Sequence, residues 1–367
     1  MIDVSAEAMN NIRYGSYQLH ARAWISRGGQ VLTSSLPLLD GQETYDETLQ
    51  VPELVQVTVP RLLDGVDLEP HDATSPTAAF GQRLHVQLGV NVGALGVEWF
   101  DRGEFLITDS QTVDDTVEIS AAGLLELVNE ARLVTAYQPT GVLSNVVRKL
   151  VEPALTVYVD PALTDRTVPS TLQFDDDRLG ALYSVLDAWP AQCRVMPGGF
   201  LYVYPADQAI GDDWNLFTFN RDDFPYDRAT VVRTTSSSSR DAVYNAVVAR
   251  GTAADGGQVQ GVQYDDDPAS SSAYGGPFNP LPVPYYFESP LLTTIPQCNA
   301  AAITTMNRLK AATYRRHGAE VVPVPILQGR DGIYLYGEQH YVATVIEKMT
   351  LPYTPGGSMD LTLRETT

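Results

Sequence analysis

Hydrophobic periodicity changes twice along this chain, and the order of those changes is the strongest constraint on its fold. Over residues 16–25, SYQLHARAWI sets Tyr17, Leu19, Ala21, Ala23 and Ile25 against Gln18, His20, Arg22 and Trp24. A two-residue period puts one set on each face of a half-exposed strand. The Arg27-Gly28-Gly29-Gln30 turn leads into VLTSSLPLL, and ELVQVTVP (53–60) alternates until Pro60 closes it. Residues 64–81 are polar and rich in Pro, Asp and Thr, the composition of an exposed loop. RLHVQLGV (83–90), EFLITDSQTV (104–113) and DTVEISA (115–121) then read as three strands of one antiparallel sheet or barrel.

At Ala121 the period becomes helical. AAGLLELVNEARLV (121–134) carries Leu124, Leu127, Val128 and Ala131 on one face. TGVLSNVVRKLVEP (140–153) repeats the pattern through Leu143, Val146, Val147 and Leu150 until Pro153. A third helix is expected in DDDRLGALYSVLDAWP (175–190), with Leu179, Leu182, Leu186 and Trp189 inward. Asp175, Asp176 and Asp177 stand at its positive end. QCRVMPGGFLYVYP (192–205) reads as a hairpin around Pro197-Gly198-Gly199. Residues 122–215 are thus expected to form an α+β unit.

Strand texture then returns. VYNAVVAR (243–250) is apolar on both faces, as in a central strand covered on both sides. A Gly-rich turn joins it to VQGVQY, and Asp265-Asp266-Asp267-Pro268 follows. Residues 268–296 hold seven prolines, which describes an extended excursion. Thr294 with Gln297 reads as a capping box opening a helix over about 295–317, with Ile303, Met306 and Leu309 inward and Gly318 at its end. His317, beside Arg315 and Arg316, is expected at that helix's negative end. The remaining residues return to strands.

The chemistry that this sequence offers is sparse. None of the five histidines lies in H-E-x-x-H or near a cysteine pair, which argues against zinc. G-x-S-x-G, the phosphate-binding G-x-x-x-x-G-K-[ST] and the dinucleotide G-x-G-x-x-G are all missing. Consecutive carboxylates at Asp265–Asp267 point to alternate faces of a strand, whereas a calcium loop spaces its ligands. They read as a solvated strand end, with a calcium ion as the alternative. No catalytic residue, metal or cofactor is expected. Two cysteines, Cys193 and Cys298, make no disulfide framework and are expected as thiols of a reducing compartment. The N-terminus lacks the pattern of a signal peptide, and no stretch approaches the roughly 18 apolar residues of a membrane span, so no membrane binding is expected. The net charge of −21 disfavours neutralising contacts to nucleic acid. A carboxylate-dependent cell-wall glycoside hydrolase and an aromatic carbohydrate-binding adhesin are the rival classes. The latter is kept open by nineteen tyrosines.

Several stretches in fixed order carry a resemblance. These are RGEFLITDSQTVDDTVEISAAGLLELV (102–128), SNVVRKLVEPAL (144–155), LGALYSVLDAWPAQCRVMPGGFLYVYP (179–205), DAVYNAVVARGTAADG (241–256) and TLPYTPGGSMDLTLRE (350–365). This order resembles the tail-tip (baseplate) hub minor tail proteins of phages infecting actinobacteria, related in architecture to the hub of contractile-tail baseplates. The resemblance implies a mainly β, α+β chain: antiparallel β-barrel hub domains at 1–121 and 216–367, with the α+β domain 122–215 inserted between them. It implies a structural homotrimer in the virion, assembled in the host cytoplasm. That trimer would match the hexameric tail tube and line the DNA exit channel. Its expected partners are the tail tube, the tape measure protein and the tail fibre or receptor-binding tip proteins, with genome DNA only passing through. The Pro-rich arm supplies the candidate partner contact: Pro277, Phe278, Pro280, Pro282, Tyr285, Tyr286 and Phe287.

Overall fold

The computed structural model describes residues 1–14, 17–93, 96–169, 172–206, 217–220, 230–237, 240, 243–253, 255–312, 316–336 and 341–365. The first region comprises α1 (Ala6–Tyr14), β1 (Leu19–Arg27), β2 (Gln30–Leu36), β3 (Asp40–Asp46), β4 (Glu53–Pro60), β5 (Leu62–Leu63), β6 (Val66–Asp67), β7 (Gln82–Asn91), β8 (Val97–Val113) and β9 (Thr116–Gly123). The middle holds α2 (Glu126–Glu130), α3 (Leu143–Val151), β10 (Thr156–Val159), α4 (Arg178–Ala188), β11 (Ala191–Val195) and β12 (Phe200–Pro205). The last region begins with β13 (Phe217–Phe219), β14 (Val231–Ser237), β15 (Ala246–Thr252), β16 (Gln258–Tyr264), β17 (Pro284–Glu288) and α5 (Ile295–Ala312). It ends with β18 (Arg316–Val321), β19 (Gly332–Tyr336), β20 (Tyr341–Pro352) and β21 (Met359–Glu365).

Alternation makes the first region an antiparallel sheet in the order β3-β4-β9-β8-β7-β1-β2, and β1 buries Leu19, Ala23 and Ile25 as its period requires. The two β-regions do not stay separate. A 13-stranded sheet runs β14-β18-β21-β20-β3-β4-β9-β8-β7-β1-β2, with β19 on β20 and β13 on β19. The join is β20, which pairs β21 along one edge. Along its other edge it pairs β19 through Tyr341–Val345 and β3 through Lys348–Pro352. Side chains of both regions form one core, in which Val55, Val57 and Leu84 accompany Ile346, Leu351 and Leu363. No pairing closes this sheet among the described residues, so two separate closed barrels are not delineated.

The inserted unit has its own core. α3 and α4 bury Leu143, Val146, Val147, Leu150, Leu179, Leu182 and Leu186, the faces that the helical period sets inward. Asp177 caps α4 by accepting from the Gly180 amide at 3.0 Å, and β10-β12-β11 forms its sheet. Residues 121–134 depart from the expected helix. Ala121 and Ala122 are claimed by ladders to β4 and β8, so only Glu126–Glu130 is helical. Local propensity yields there to backbone pairing with two neighbours. α1, which no periodicity in the sequence predicts, buries Ala8 and Ile12. The boundary at 215–216 lies outside the described residues, as do Asp241, Ala242 and His340.

Residues 245–312 form a third small unit rather than part of a barrel. β15 is central between β16 (antiparallel) and β17 (parallel), and α5 lies across the sheet. Val247 and Ala249 pack on Cys298, Ala302 and Met306 of α5. The approach is close: a Cβ on Gly261 would lie 2.5 Å from the Asn299 amide nitrogen. The opposite face, with Val248, Val262 and Tyr286, is only partly covered, so β15 is sheathed on one side and not two. The capping box forms as expected, Gln297 Oε1 accepting from the Thr294 amide at 3.1 Å. Its described span is Ile295–Ala312, however, and Gly318 lies in β18 opposite Thr362 and at no helix end. His317 is therefore no helix cap. It sits in β18 and meets Glu365 of β21 at 2.7 Å.

Candidate functional site

The seam between the two β-regions carries a buried charged centre. Arg102 on β8 donates to both Glu43 oxygens on β3 at 2.8 Å, and to the Pro325 and Leu327 carbonyls at 2.9 and 2.7 Å. Tyr353, just past β20, donates to Glu43 Oε2 at 3.2 Å. A planar guanidinium fits this forked arrangement as an ammonium cannot. Nearby, Arg330 contacts Glu47 and Gln192, linking all three sequence regions. Lys348 donates to Asp46 at 2.7 Å and Arg364 to Glu347 at 3.2 Å. None of these residues stands in a catalytic spacing, and Arg102, flanked by Asp101 and Glu104, carries no mark of burial in the sequence.

Beside this seam lies a cavity of about 70 Å³, lined by Glu53, Gly123, Cys193, Arg194, Met196 and Gln328 among others. Glu53 Oε2 is buried without a hydrogen-bond partner. Burial pushes the Glu53 carboxyl up to about 7. Burial likewise pushes the Cys193 thiol up to about 12, the opposite of an activated nucleophile.

The Pro-rich segment is not a free arm within its own chain. Pro277, Pro280, Pro282 and Tyr286 are exposed, while Phe278, Tyr285 and Phe287 are half-buried. Tyr285, Tyr286 and Phe287 belong to β17, which takes the edge position beside β15, where prolines are tolerated. The Arg250 guanidinium lies 4.6 Å over Tyr286, and Arg240 lies 4.8 Å over Phe278. Asn245 anchors the excursion by accepting from the Val283 amide at 2.6 Å.

The aspartate triplet splits. Asp266 and Asp267 are exposed as expected, but Asp265 is fully buried. Its carboxylate pairs with Lys310 of α5 and accepts from Ser270 at 2.5 Å and Ser272 at 2.9 Å. Burial alone would raise its pKa; Lys310 and the two serines outweigh that and hold it below the usual carboxylate value. Asp265 is thus the peg tying helix, strand and loop together, and a lysine fills the place of a cation. A second cluster, Asp67, Glu69 and His71, has ligand atoms close enough for a metal. Arg61 already lies 3.2 Å from Asp67 and 2.6 Å from Glu69, and its hydrogen bond holds the Asp67 carboxyl at about 2.

No protein-family model matches this chain, and no curated protein matches its sequence. Solved structures match it across nearly its whole length. A tail protein from Neisseria meningitidis MC58 superposes with a TM-score of 0.64 at 11% identity, covering 95% of this chain and 97% of that one. The 43 kDa tail protein of prophage MuSo2 from Shewanella oneidensis gives 0.59 at 10% identity, over 94% and 98%. A component of the E. coli type VI secretion system, described as similar to the T4 tail proteins gp27 and gp5, gives 0.51 at 10% identity, over 94% and 77%. At such identity the likeness is one of fold.

Proposed function

We propose that this chain is a structural, non-catalytic subunit of a phage tail, acting as the hub of the tail tip in a homotrimer. The observation that carries this reading is the match to the Neisseria and Shewanella tail proteins, which covers 94–95% of this chain and 97–98% of theirs. The sheet supports it. The strands at the two ends of its main path, β2 and β14, each have one neighbour among the described residues, as does β13 on its branch. β2 carries no charge, and Val31 and Leu32 are 59% and 36% exposed. An unguarded edge of this kind invites a further strand, and head-to-tail pairing between copies satisfies both edges when the ring closes. Three such subunits would meet the hexameric end of the tail tube, with the tape measure protein and the fibre or receptor-binding proteins as further neighbours. The exposed face of residues 277–287 would add a partner contact. The acidity of the chain suits a channel that DNA must traverse without adhering. Assembly would take place in the host cytoplasm.

Light scattering on the purified chain tests this. The expected mass is three times the 40.1 kDa of one copy. Val31→Lys should lower it to one copy without changing the circular dichroism spectrum. A wild-type monomer at all concentrations refutes the trimer.

A further inference from the structure

Glu53 stands where the three regions meet. It opens β4 of the first region. The β11–β12 hairpin of the inserted unit and the Gln328-Gly329-Arg330 turn of the last region close around it. The cavity between them has room for about two waters. We propose that this joint is a proton-operated switch, in which ionisation of Glu53 draws the Arg194 guanidinium away from Gln328 and into the cavity, exchanging the inserted unit's contact to the last region for one to β4.

The placement of the charges supports this. Glu53 Oε2 is buried and unpartnered. Gly123 leaves it room, since a Cβ there would lie 2.6 Å from that oxygen. Burial is the main reason its carboxyl is pushed up to about 7. Its own backbone amide and Arg194 act the other way, and Glu43 reinforces burial. The other charged and titratable groups around it are engaged. From β3, Glu43 is held by Arg102 of β8, and Tyr45 is kept neutral by burial. Glu104 of β8 pairs with Arg83 at 3.0 Å. Arg330 holds Glu47. Tyr183 of α4 donates to the Gln50 carbonyl at 2.6 Å, and Cys193 of β11 stays a thiol. Arg194, also on β11, makes weaker contacts, to Met196 Sδ at 3.3 Å and Gln328 Oε1 at 3.5 Å. It is the cation placed to move.

The sign of the linkage follows. A carboxyl whose folded pKa lies above its unfolded value keeps its proton longer in the folded state. Stability is therefore highest below the unfolded value, falls as pH rises toward about 7, and levels off above. With Arg194 at its present distance, the loss would be about 300-fold in the unfolding constant, from 4.5 to about 7. Recruitment of Arg194 recovers part of it.

Urea unfolding of the full chain between pH 5 and 8.5 reads this out for wild type, Glu53→Gln, Arg194→Gln and the double variant. The wild-type unfolding constant should rise ten- to hundredfold relative to that of Glu53→Gln across the range. Arg194→Gln should match wild type at pH 5 and lose about a further tenfold at pH 8.5. The double variant should show no such pH-dependent penalty. In the wild-type protein alone, the Arg194 Nε resonance should titrate with a midpoint near 7. A wild-type to Glu53→Gln ratio that does not change with pH overturns the proposal. So does an Arg194→Gln effect equal at both pH values, or an Arg194 resonance that does not titrate.

Discussion

Replacing Arg102 with methionine should cost the folded chain about 3–5 kcal/mol, the range for breaking a buried ion pair from one side. Arg102 and Glu43 have side chains only 1% and 6% exposed. The substitution removes two charge-assisted bonds to Glu43 and leaves the Pro325 and Leu327 carbonyls without that donor. Each buried acceptor left unsatisfied costs about 1–3 kcal/mol, and the Glu43 carboxylate would keep only Tyr353 at 3.2 Å. The separate losses overlap, because the site can relax or admit water, so their full sum is an upper bound. Urea unfolding followed by far-ultraviolet circular dichroism measures the change. Arg102→Met with Glu43→Leu should recover at least half of it, since the stranded charge goes with the second substitution. A single-variant loss under about 1 kcal/mol, or a double variant no more stable than the single, refutes the view that this pair is a buried, closed centre.

Gly251→Ala should destabilise by about 1–3 kcal/mol, because its Cβ would sit 1.8 Å from the Leu292 carbonyl oxygen and backbone cannot give way; unchanged urea stability would mean that the Ser289–Leu292 turn is not seated on β15 as described. Lys310→Met should loosen the same unit by about 1–3 kcal/mol at pH 7. Asp265's pKa is depressed in the folded state, so this contribution is present above the ordinary carboxylate range and lost as pH falls through the lower folded value. A loss at pH 3 as large as that at pH 7 would contradict this. Both thiols should resist iodoacetamide at pH 8 in the native protein, since burial raises the pKa of each; rapid alkylation detected by intact mass would refute it. Chelator should leave the melting temperature unchanged, because lysine and arginine already occupy the two carboxylate clusters.

Much of this architecture is written in short-range pattern. The period of two in β1, β4 and β7, the period of three to four in α3 and α4, the Thr294–Gln297 capping box and the Pro197-Gly199 turn are local, and local residues suffice to encode them. The Asp265–Asp267 run was only half readable. That such a run ends a strand follows from its neighbours, but burial of Asp265 depends on Lys310, 45 positions away in sequence. The helix expected over 121–134 failed for the same reason in reverse, as the neighbouring strand β8 and the distant strand β4 claimed Ala121 and Ala122 for their ladders.

Sequence alone fixed the order of β, α+β and β regions, the acidity and the scarcity of catalytic groups, because composition and periodicity are properties of neighbouring residues. Only the tertiary structure decided that both β-regions share one sheet through β20 and β3, that Arg102 meets Glu43, and that Glu53 and Arg194 face one cavity. Each of these depends on pairing register between segments tens to hundreds of residues apart. Such register is set by which faces bury together in the whole fold, and no local window carries it.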